Sequence, residues 1–205
     1  MKNLTNKKAI FWDFDGVILD SMPIRERGFR EVLSAYPEEQ VNILIDFHSK
    51  NAGLSRYIKF DYFFKEIRKE ENTQKLQEDL INQFSEIMKE LLVDRSLLNN
   101  KVLSFIRRNS LIPMHIVSGS DGSELRYLCK ELQIANLFVS IEGSPIAKIV
   151  LVENLIEKYN YSKEELCLIG DSINDYDAAS QNGIDFFGYN NTELIKLDSA
   201  YIYEF

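Results

Sequence analysis

Two aspartates one residue apart are the first feature of the chain that could do chemistry. Asp13 and Asp15 follow the apolar run AIFW at residues 9–12, and Gly16 comes directly after them. Side chains two apart on a strand point to the same side, so both carboxylates would converge at the strand's carboxyl end. Like charges placed that closely repel each other unless a cation or a bound proton relieves the repulsion. The pair therefore indicates a cation site.

Further polar residues stand where later apolar runs end. Ser118 ends the strand-like run in HIVSGSDG, Asp171 ends the run that starts at Leu166, and Lys148 opens an amphipathic segment after SIEGSPIA. Ligands of open parallel sheets bind beyond the carboxyl ends of the strands, so we expect these groups to meet the two aspartates in one pocket. Carboxylate oxygens suit Mg²⁺, a hard cation that usually shares its coordination shell with waters and a phosphate.

The apolar pattern predicts the elements that must position these residues. AIFW has the continuous apolar character of a strand buried on both faces of a parallel sheet. The segment from Met22 to about Asn109 has apolar residues at helical spacing instead, with Pro23 and Thr73 placed to start helices. From Leu111 onward, short apolar runs alternate with amphipathic segments, which is typical of βαβ units.

The predicted fold class is therefore α/β, with a Rossmann-like parallel sheet core interrupted by an inserted, all-helical segment. The insertion would form a second, smaller domain after the first strand. The predicted core domain comprises residues 1–21 and 95–205, and the predicted helical domain comprises residues 22–94.

Four motifs in this order resemble those of the haloacid dehalogenase superfamily. The first, DxDG, is present at residues 13–16, and the second, an apolar strand ending in Ser or Thr, at residues 116–118. Lys148 is the candidate for the third motif, a lone lysine, and the fourth, GDxxxD, is present at residues 170–175. The chain is most similar to the phosphatases of the phosphoglycolate phosphatase and β-phosphoglucomutase-like branch, in which a helical cap follows the first strand.

The resemblance implies a Mg²⁺-dependent phosphomonoester hydrolase that works through an aspartyl-phosphate. Asp13 would attack the phosphoryl group, and Asp15 would act as general acid and then as general base. Ser118 and Gly119 would hold a phosphoryl oxygen, and Lys148 would neutralise charge.

The resemblance also implies how the cation is held. The implied ligands are the Asp13 carboxylate, the Asp15 main-chain carbonyl and the Asp171 carboxylate. Asp175 would support the shell directly or through water, or would pair with Lys148. Asp175 could also be simply an acidic first-turn residue favoured by the helix dipole, and Ser118 could simply cap the next helix.

Within the helical segment, NAGLSRYIKF is the most suggestive stretch. Arg56 and Lys59 stand three residues apart, hence on one helix face, after the flexible Asn51-Ala52-Gly53. Cap loops of the related phosphatases complete the substrate pocket, so we expect these two cations to meet an anionic substrate group. The alternative is a solvated basic face.

Composition limits the partners. With 24 Lys and Arg against 32 Asp and Glu, the net charge of −8 disfavours nucleic acid and anionic membrane surfaces. Neither a secretory signal nor an apolar run of about 18 residues is present, which predicts a cytoplasmic protein.

Cys129 and Cys167 fit no disulfide framework, and His48 and His115 have no metal-ligand spacing, so all four are interpreted as structural. The expected partner is a small phosphate ester, and the expected assembly is a monomer or weak homo-oligomer.

The leading functional hypothesis is a phosphatase of a small metabolite, with sugar phosphates favoured. The alternative is a β-phosphoglucomutase-like phosphomutase, in which the aspartyl-phosphate passes to a second sugar hydroxyl. A dehalogenase is disfavoured because that branch needs neither the second aspartate of DxDG nor a metal. A phosphate-accepting receiver is disfavoured because its phosphate acceptor ends a later strand and no helical bundle interrupts it.

Overall fold

A six-stranded parallel sheet forms the centre of the fold. The computed structural model describes residues 4–197 and 199–205, so residues 1–3 and position 198 of the predicted core domain lie outside the described residues. The strand order is β3-β2-β1-β4-β5-β6, and every neighbouring pair is parallel. The strands are β1 (Ala9–Trp12), β2 (Met114–Asp121), β3 (Ser140–Ser144), β4 (Leu166–Gly170), β5 (Asp185–Tyr189) and β6 (Ala200–Ile202).

Both faces of the sheet are covered, which explains why β1 is apolar at every position. Ile10 and Trp12 pack into one hydrophobic cluster, whereas Ala9 and Phe11 pack into a second cluster on the opposite face. Helices on both faces complete these clusters, as expected for an open parallel sheet. They are α5 (Asn100–Arg108) and α6 (Gly122–Glu131) on the first face, and α7 (Lys148–Tyr159) and α8 (Ile173–Asn182) on the second. The predicted α/β fold class is confirmed.

A helical insertion lies between β1 and β2. It contains α1 (Met22–Val32), α2 (Glu38–Lys50), α3 (Arg56–Tyr62), a π-helical turn (Phe63–Ile67) and α4 (Gln74–Leu91). Its apolar side chains include Phe29, Phe60 and Phe84, whose rings are 4.4–6.2 Å apart and which belong to the same hydrophobic cluster as Ile10 and Trp12 of the sheet. Pro23 stands in the first turn of α1, as its fixed φ favours.

The two ends of the helical insertion run side by side. Leu19 forms an antiparallel bridge with Leu98, and the Asp20 main-chain N–H donates to the Leu97 carbonyl over 2.8 Å. The insertion is thus joined to the sheet by two adjacent, hydrogen-bonded segments.

Several element boundaries differ from the sequence prediction. β2 continues past Ser118 because its pairing with β3 resumes at Asp121 after an irregularity in the register. One of the short apolar runs after Leu111, NLFVSI at residues 136–141, begins in a 3₁₀ turn (Ala135–Leu137) rather than a strand. Within the stretch of helical spacing, residues 54–70 form α3 and the π-helical turn rather than one continuous helix. β6 was not predicted, because a strand of three residues at a sheet edge is too short to show a recognisable apolar pattern.

No helix in residues 4–197 and 199–205 has the length and apolar character needed to cross a membrane.

Candidate active site

Three carboxylates converge where β1 and β4 end. β1 lies between β2 and β4 in the sheet, so the residues that follow these strands are neighbours. One oxygen from each of Asp13, Asp171 and Asp175 lies within 4.8 Å of the others. The Lys148 ammonium donates to Asp13 Oδ1 over 2.8 Å and also to Asp175. Four sequence-predicted site residues therefore meet at one point.

Helix starts place two members of this cluster. α7 begins at Lys148, so its side chain stands at the amino end of the helix beside the strand ends. α8 begins with a capping box, in which Asp175 Oδ2 accepts hydrogen bonds from the Ser172 main chain and hydroxyl over 3.0 and 2.6 Å. Asp175 thus fills the first-turn position and pairs with Lys148 through its other oxygen.

The electrostatics of the cluster favour an added cation. Burial, together with repulsion from Asp175, raises the pKa of Asp13. Burial and repulsion from Asp13 likewise raise the pKa of Asp171. Burial alone would lower the pKa of Lys148, but its ion pairs with Asp13 and Asp175 outweigh that effect and raise it. Three carboxylates share one lysine, which leaves an excess of negative charge.

The donor set fits Mg²⁺. Asp171 Oδ1 is buried and has no hydrogen-bond partner among the described residues, so it is available to a cation. Gly16 has a φ of +77°, and a Cβ there would lie 1.9 Å from Asp171 Oδ2. Only glycine therefore allows the DxDG backbone to come so close to the Asp171 carboxylate. The Asn191 side chain donates to the Asp171 carbonyl over 2.8 Å and steadies this loop.

The Asp15 carboxylate is not part of this cluster. It accepts from Arg25 Nε over 2.6 Å and from the hydroxyls of Ser21 and Ser120. Burial would raise the pKa of Asp15, but Arg25 and the two hydroxyl donors lower it to about 2. This leaves only its main-chain carbonyl for the predicted metal role, and the carboxylate faces the helical insertion.

The end of β2 supplies hydroxyl and main-chain groups. Ser118 is buried, and its Oγ accepts from the Ser120 main-chain N–H over 3.1 Å. The cap of α6 is Asp121, whose Oδ1 accepts from the Ser123 and Glu124 main chains. The alternative in which Ser118 caps this helix is therefore wrong.

The two predicted cations of α3 are buried rather than solvated. Arg56 and Lys59 are only 4% and 3% exposed, so the solvated basic face is wrong. Arg56 Nη1 lies 2.6 Å from Glu124 Oε2 and donates to Ser85 Oγ over 2.7 Å. Lys59 donates to the Ala52 carbonyl over 3.1 Å, and no carboxylate in the described part of the chain lies in ion-pair contact with it. Burial, reinforced by Arg25, lowers the pKa of Lys59 to about 7.

A small polar cavity separates these cations from Asp13. Its volume is about 20 Å³, roughly that needed by one water. The lining includes Asp13, Asp15, Ser118, Gly119 and Ser120 from the core, and Arg25, His48, Arg56 and Lys59 from the helical insertion. A larger, mostly apolar space of about 230 Å³ adjoins it at Gly53 and Gly119 and reaches Lys148.

Four residues of the site escaped sequence reasoning. Ser21 and Arg25 are one helical turn apart just after DxDG, and Ser120 stands two residues beyond Ser118, which puts both serines of β2 on one face. Those spacings could have identified them. Glu124, which is fully buried and accepts from Arg25 over 3.1 Å, carries no such signal in the sequence.

The two histidines differ in their surroundings. His115 is held between Ser140 Oγ and the Tyr161 hydroxyl at 2.9 and 3.0 Å, which suits a structural residue. His48 packs on Phe29 at 5.1 Å and lines the polar cavity, yet neither ring nitrogen has a hydrogen-bond partner among the described residues. Burial and the nearby Lys59 lower the pKa of His48 to about 3, so its ring is neutral.

Comparison with known proteins identifies similar sequences and folds. The family model of haloacid dehalogenase-like hydrolases matches residues 7–183. No curated protein matches the chain at a significant level.

Solved structures with similar folds cover nearly the whole chain. A predicted phosphoglycolate phosphatase from Haemophilus somnus has a TM-score of 0.77 and 18% identity, covering 96% of this chain and 94% of its own. The β-phosphoglucomutase of Clostridium difficile has a TM-score of 0.74 and 17% identity, covering 97% and 91%. YfnB of Bacillus subtilis, a hydrolase structure with bound magnesium that reveals interdomain movement, has a TM-score of 0.70 and 15% identity, covering 97% and 95%. At these identities the similarity establishes the fold.

Proposed function

The chain belongs to the haloacid dehalogenase-like hydrolases, and from that premise we propose that it is a Mg²⁺-dependent phosphatase of small phosphate esters. The observation that carries this proposal is the cluster of Asp13, Asp171 and Asp175 around the Lys148 ammonium. Phosphoryl transfer needs little from a protein beyond a positioned nucleophile and neutralised charge, and this cluster offers both.

Asp13 is the proposed nucleophile. Its carboxylate oxygen attacks phosphorus while the bond from phosphorus to the ester oxygen breaks, which leaves an aspartyl-phosphate. Lys148 holds Asp13 in place through the 2.8 Å hydrogen bond and offsets charge on the transferring phosphoryl group. Ser118 Oγ and the Gly119 main chain bind a phosphoryl oxygen. Mg²⁺, held by Asp13, Asp171 and the Asp15 carbonyl and supported by Asp175, would supply further neutralisation of the phosphoryl oxygens.

Asp15 is the proposed acid and base. It gives a proton to the departing alkoxide and then takes one from the water that attacks phosphorus, so that the bond to Asp13 breaks and phosphate leaves. Arg25 holds Asp15 ionised in the arrangement described. The ionised form is the one that acts as the base of the second step, and the first step begins once Asp15 has taken up a proton.

We propose that residues 22–94 form a mobile cap over the site. The polar cavity has room for about one water, so an ester can reach Asp13 only when the insertion moves away. The paired segments at Leu19 and Leu98 are the proposed hinge, since they alone carry the chain between the sheet and the insertion. A structural neighbour from Bacillus subtilis is described with interdomain movement, which supports this proposal.

A phosphomutase is the second candidate. It is favoured by the similarity in fold to a β-phosphoglucomutase, with a TM-score of 0.74. In that case the aspartyl-phosphate passes to a second sugar hydroxyl instead of water. The resemblance of GLSRYIKF to the caps of sugar-phosphate phosphatases makes sugar phosphates the first substrate class to test under either hypothesis.

The test is phosphate release from p-nitrophenyl phosphate and a panel of sugar phosphates, with Mg²⁺ and with a chelator. We expect turnover that requires Mg²⁺ and is abolished by Asp13→Asn. The matched control is Asp20→Asn, the same change at an exposed aspartate of the same segment, which should retain activity. Isomerisation of a sugar phosphate without phosphate release would favour the mutase, and full turnover by Asp13→Asn would contradict both.

A further inference from the structure

The two loops that carry the carboxylate cluster are joined by a third loop. Asn190 and Asn191 follow β5 directly, and their side chains reach the other two loops. Asn190 Nδ2 donates to the Gly16 carbonyl over 2.8 Å, and Asn191 Nδ2 donates to the Asp171 carbonyl over 2.8 Å. Gly16 ends the DxDG motif after β1, whereas Asp171 follows β4. Two consecutive amides thus hold the main chains of two loops that lie far apart in the sequence.

The conformation of each asparagine directs its amide towards this contact. Asn190 has a φ of +57°, a left-handed conformation that asparagine adopts more readily than most residues. Asn191 is held at both ends of its amide, because its Oδ1 accepts from the Glu193 main-chain N–H over 3.1 Å while its Nδ2 donates to Asp171. An amide oxygen only accepts and an amide nitrogen only donates, so these two contacts fix the orientation of the Asn191 side chain.

Side-chain packing does not hold the Asp171 loop on this side. A cavity of about 520 Å³ borders Asp171, Asn190 and Asn191, and Ser49 and Lys50 of the helical insertion also line it. A space of this size holds many waters, so apolar contacts cannot fix the position of the loop there. The hydrogen bonds of the two asparagines fix it instead.

The two clamped carbonyls adjoin groups that the proposed function assigns to Mg²⁺. The Asp15 carbonyl lies one peptide unit before the Gly16 carbonyl. Asp171 Oδ1 is buried and has no hydrogen-bond partner among the described residues. Holding both main chains therefore sets the separation of two candidate ligands that come from different strands. Asp13, the third candidate ligand, has its own support in the 2.8 Å hydrogen bond from Lys148.

Building on the proposed function, we propose that Asn190 and Asn191 are positioning residues that hold the Mg²⁺ ligands at a spacing suited to Mg²⁺ rather than to the larger Ca²⁺. Mg²⁺ demands near-ideal octahedral geometry with short bonds, whereas Ca²⁺ accepts longer bonds and irregular shells. A rigid separation of Asp15 and Asp171 favours the smaller ion, and a loose separation removes that advantage. The two asparagines thus determine the selectivity for the cation as well as the affinity.

Calorimetric titration of the full chain with Mg²⁺ and with Ca²⁺ tests the proposal. Asn190→Gly keeps the left-handed backbone and loses the amide. Asn191→Ser keeps a cap for the following turn but is too short to reach the Asp171 carbonyl. We expect each variant to raise the Kd of Mg²⁺ by roughly 10-fold, as removal of groups that orient metal ligands does. The Kd of Ca²⁺ should rise clearly less, so that the preference for Mg²⁺ over Ca²⁺ falls.

The control is Asn160→Gly, the same change at another asparagine of positive φ, +51°, at the end of α7. This variant should bind both ions like the wild-type protein. Thermal unfolding without metal detects a merely structural role, which would lower Tm and leave the preference between the ions unchanged. An unchanged Kd of Mg²⁺ in Asn190→Gly and Asn191→Ser, or an equal rise in the Kd of both ions, would overturn the proposal.

Phosphate release by the wild-type protein separates this proposal from the proposed function. If Asn190→Gly and Asn191→Ser lose the preference for Mg²⁺ but the wild-type protein releases phosphate from no ester, the proposed function fails and the role of the asparagines stands. If the wild-type protein hydrolyses esters with Mg²⁺ and both variants bind the two ions as it does, the proposed function stands and the role of the asparagines fails.

Discussion

Gly119 at the end of β2 lies directly against Gly53 of the helical insertion. A Cβ on Gly119 would stand 2.1 Å from the Gly53 carbonyl oxygen, and one on Gly53 would stand 2.7 Å from Ser172 Oγ. The Cβ of Gly119 would meet main-chain atoms, so that contact cannot be relieved by turning a side chain. The two glycines set how closely the insertion can approach the strand ends.

Gly119→Ala should keep the insertion from closing fully over Asp13. We expect kcat/KM to fall by roughly 100-fold, since a displacement of about 1 Å at a reacting centre has effects of that size. Steady-state kinetics measure the loss of kcat/KM. Thermal unfolding measures whether the fold persists, as we expect. Gly122→Ala is the control, because the nearest atom to its Cβ would be the flexible end of Arg126 at 3.2 Å, and the nearest main-chain atom, the Ser144 oxygen, would be at an ordinary contact distance of 3.4 Å. Equal activity of the two variants would contradict this account of closure.

Mg²⁺ should stabilise the protein through the three-carboxylate cluster. At 100 times its Kd, a ligand of the folded state adds about 2.7 kcal/mol, which corresponds to roughly 5–10 °C in Tm for a chain of this size. Asp171→Asn should remove this response and should itself raise the Tm of the metal-free protein, since it removes a carboxylate that is repelled by Asp13. Asp46→Asn, at an exposed position of α2, should respond to Mg²⁺ like the wild-type protein.

The effect of Mg²⁺ on Tm should grow as the pH rises from 5 to 9. The raised pKa values of Asp13 and Asp171 mean that the metal-free folded protein binds more protons than the unfolded chain in this range. Stability of the metal-free form therefore falls with rising pH, while Mg²⁺ binding strengthens as protons leave the carboxylates. Differential scanning fluorimetry with and without Mg²⁺ at each pH measures this difference. A response that shrinks with pH would exclude these carboxylates as the binding groups.

Glu124→Gln should destabilise the protein strongly. The Glu124 side chain is fully buried and pairs with both Arg25 and Arg56. Loss of its negative charge leaves two buried guanidinium groups with too little negative charge beside them. Breaking buried ion pairs of this kind costs about 3–5 kcal/mol. Urea unfolding gives the change directly, with Glu131→Gln at an exposed position of the same helix as the control. A loss below about 1 kcal/mol would contradict the role given to Glu124.

Lys59→Met should stabilise the protein. The charge of Lys59 faces Arg25, Arg56, Asp15 and Asp13 without a direct counter-ion, and its pKa is lowered from 10.5 to about 7. Replacement by methionine should add roughly 1–3 kcal/mol at pH 7.

The direction in which the free energy of unfolding changes with pH tests the lowered pKa of Lys59. Between pH 7 and 10.5 the unfolded chain keeps the Lys59 proton that the folded chain has lost, so wild-type stability rises with pH relative to Lys59→Met. The advantage of the variant should therefore shrink towards pH 10. Urea unfolding of both proteins across this range measures it, and a constant difference would mean that Lys59 keeps its proton when buried.

The sequence alone determined the strand-end chemistry. Asp13, Asp171 and Lys148 could be assigned to one pocket because a parallel sheet brings the carboxyl ends of its strands together whatever the details of side-chain packing. The apolar run of β1 and the glycine that follows DxD could also be recognised from neighbouring residues in the sequence. These features depend on residues close together in the chain and on one general rule of topology.

Only the tertiary structure decided how the helical insertion meets that pocket. Arg25, Arg56 and Glu124 are joined although Glu124 lies 99 residues after Arg25 in the chain, and such pairing depends on how helices pack against a sheet rather than on their own sequence. The sequence pattern left Arg56 and Lys59 open between cations that meet an anionic substrate group and a solvated basic face, because a lysine or arginine at helical spacing is compatible with both. Packing buried both cations and gave a carboxylate to Arg56 alone, since Glu124 reaches that side chain and no carboxylate of the described chain reaches Lys59.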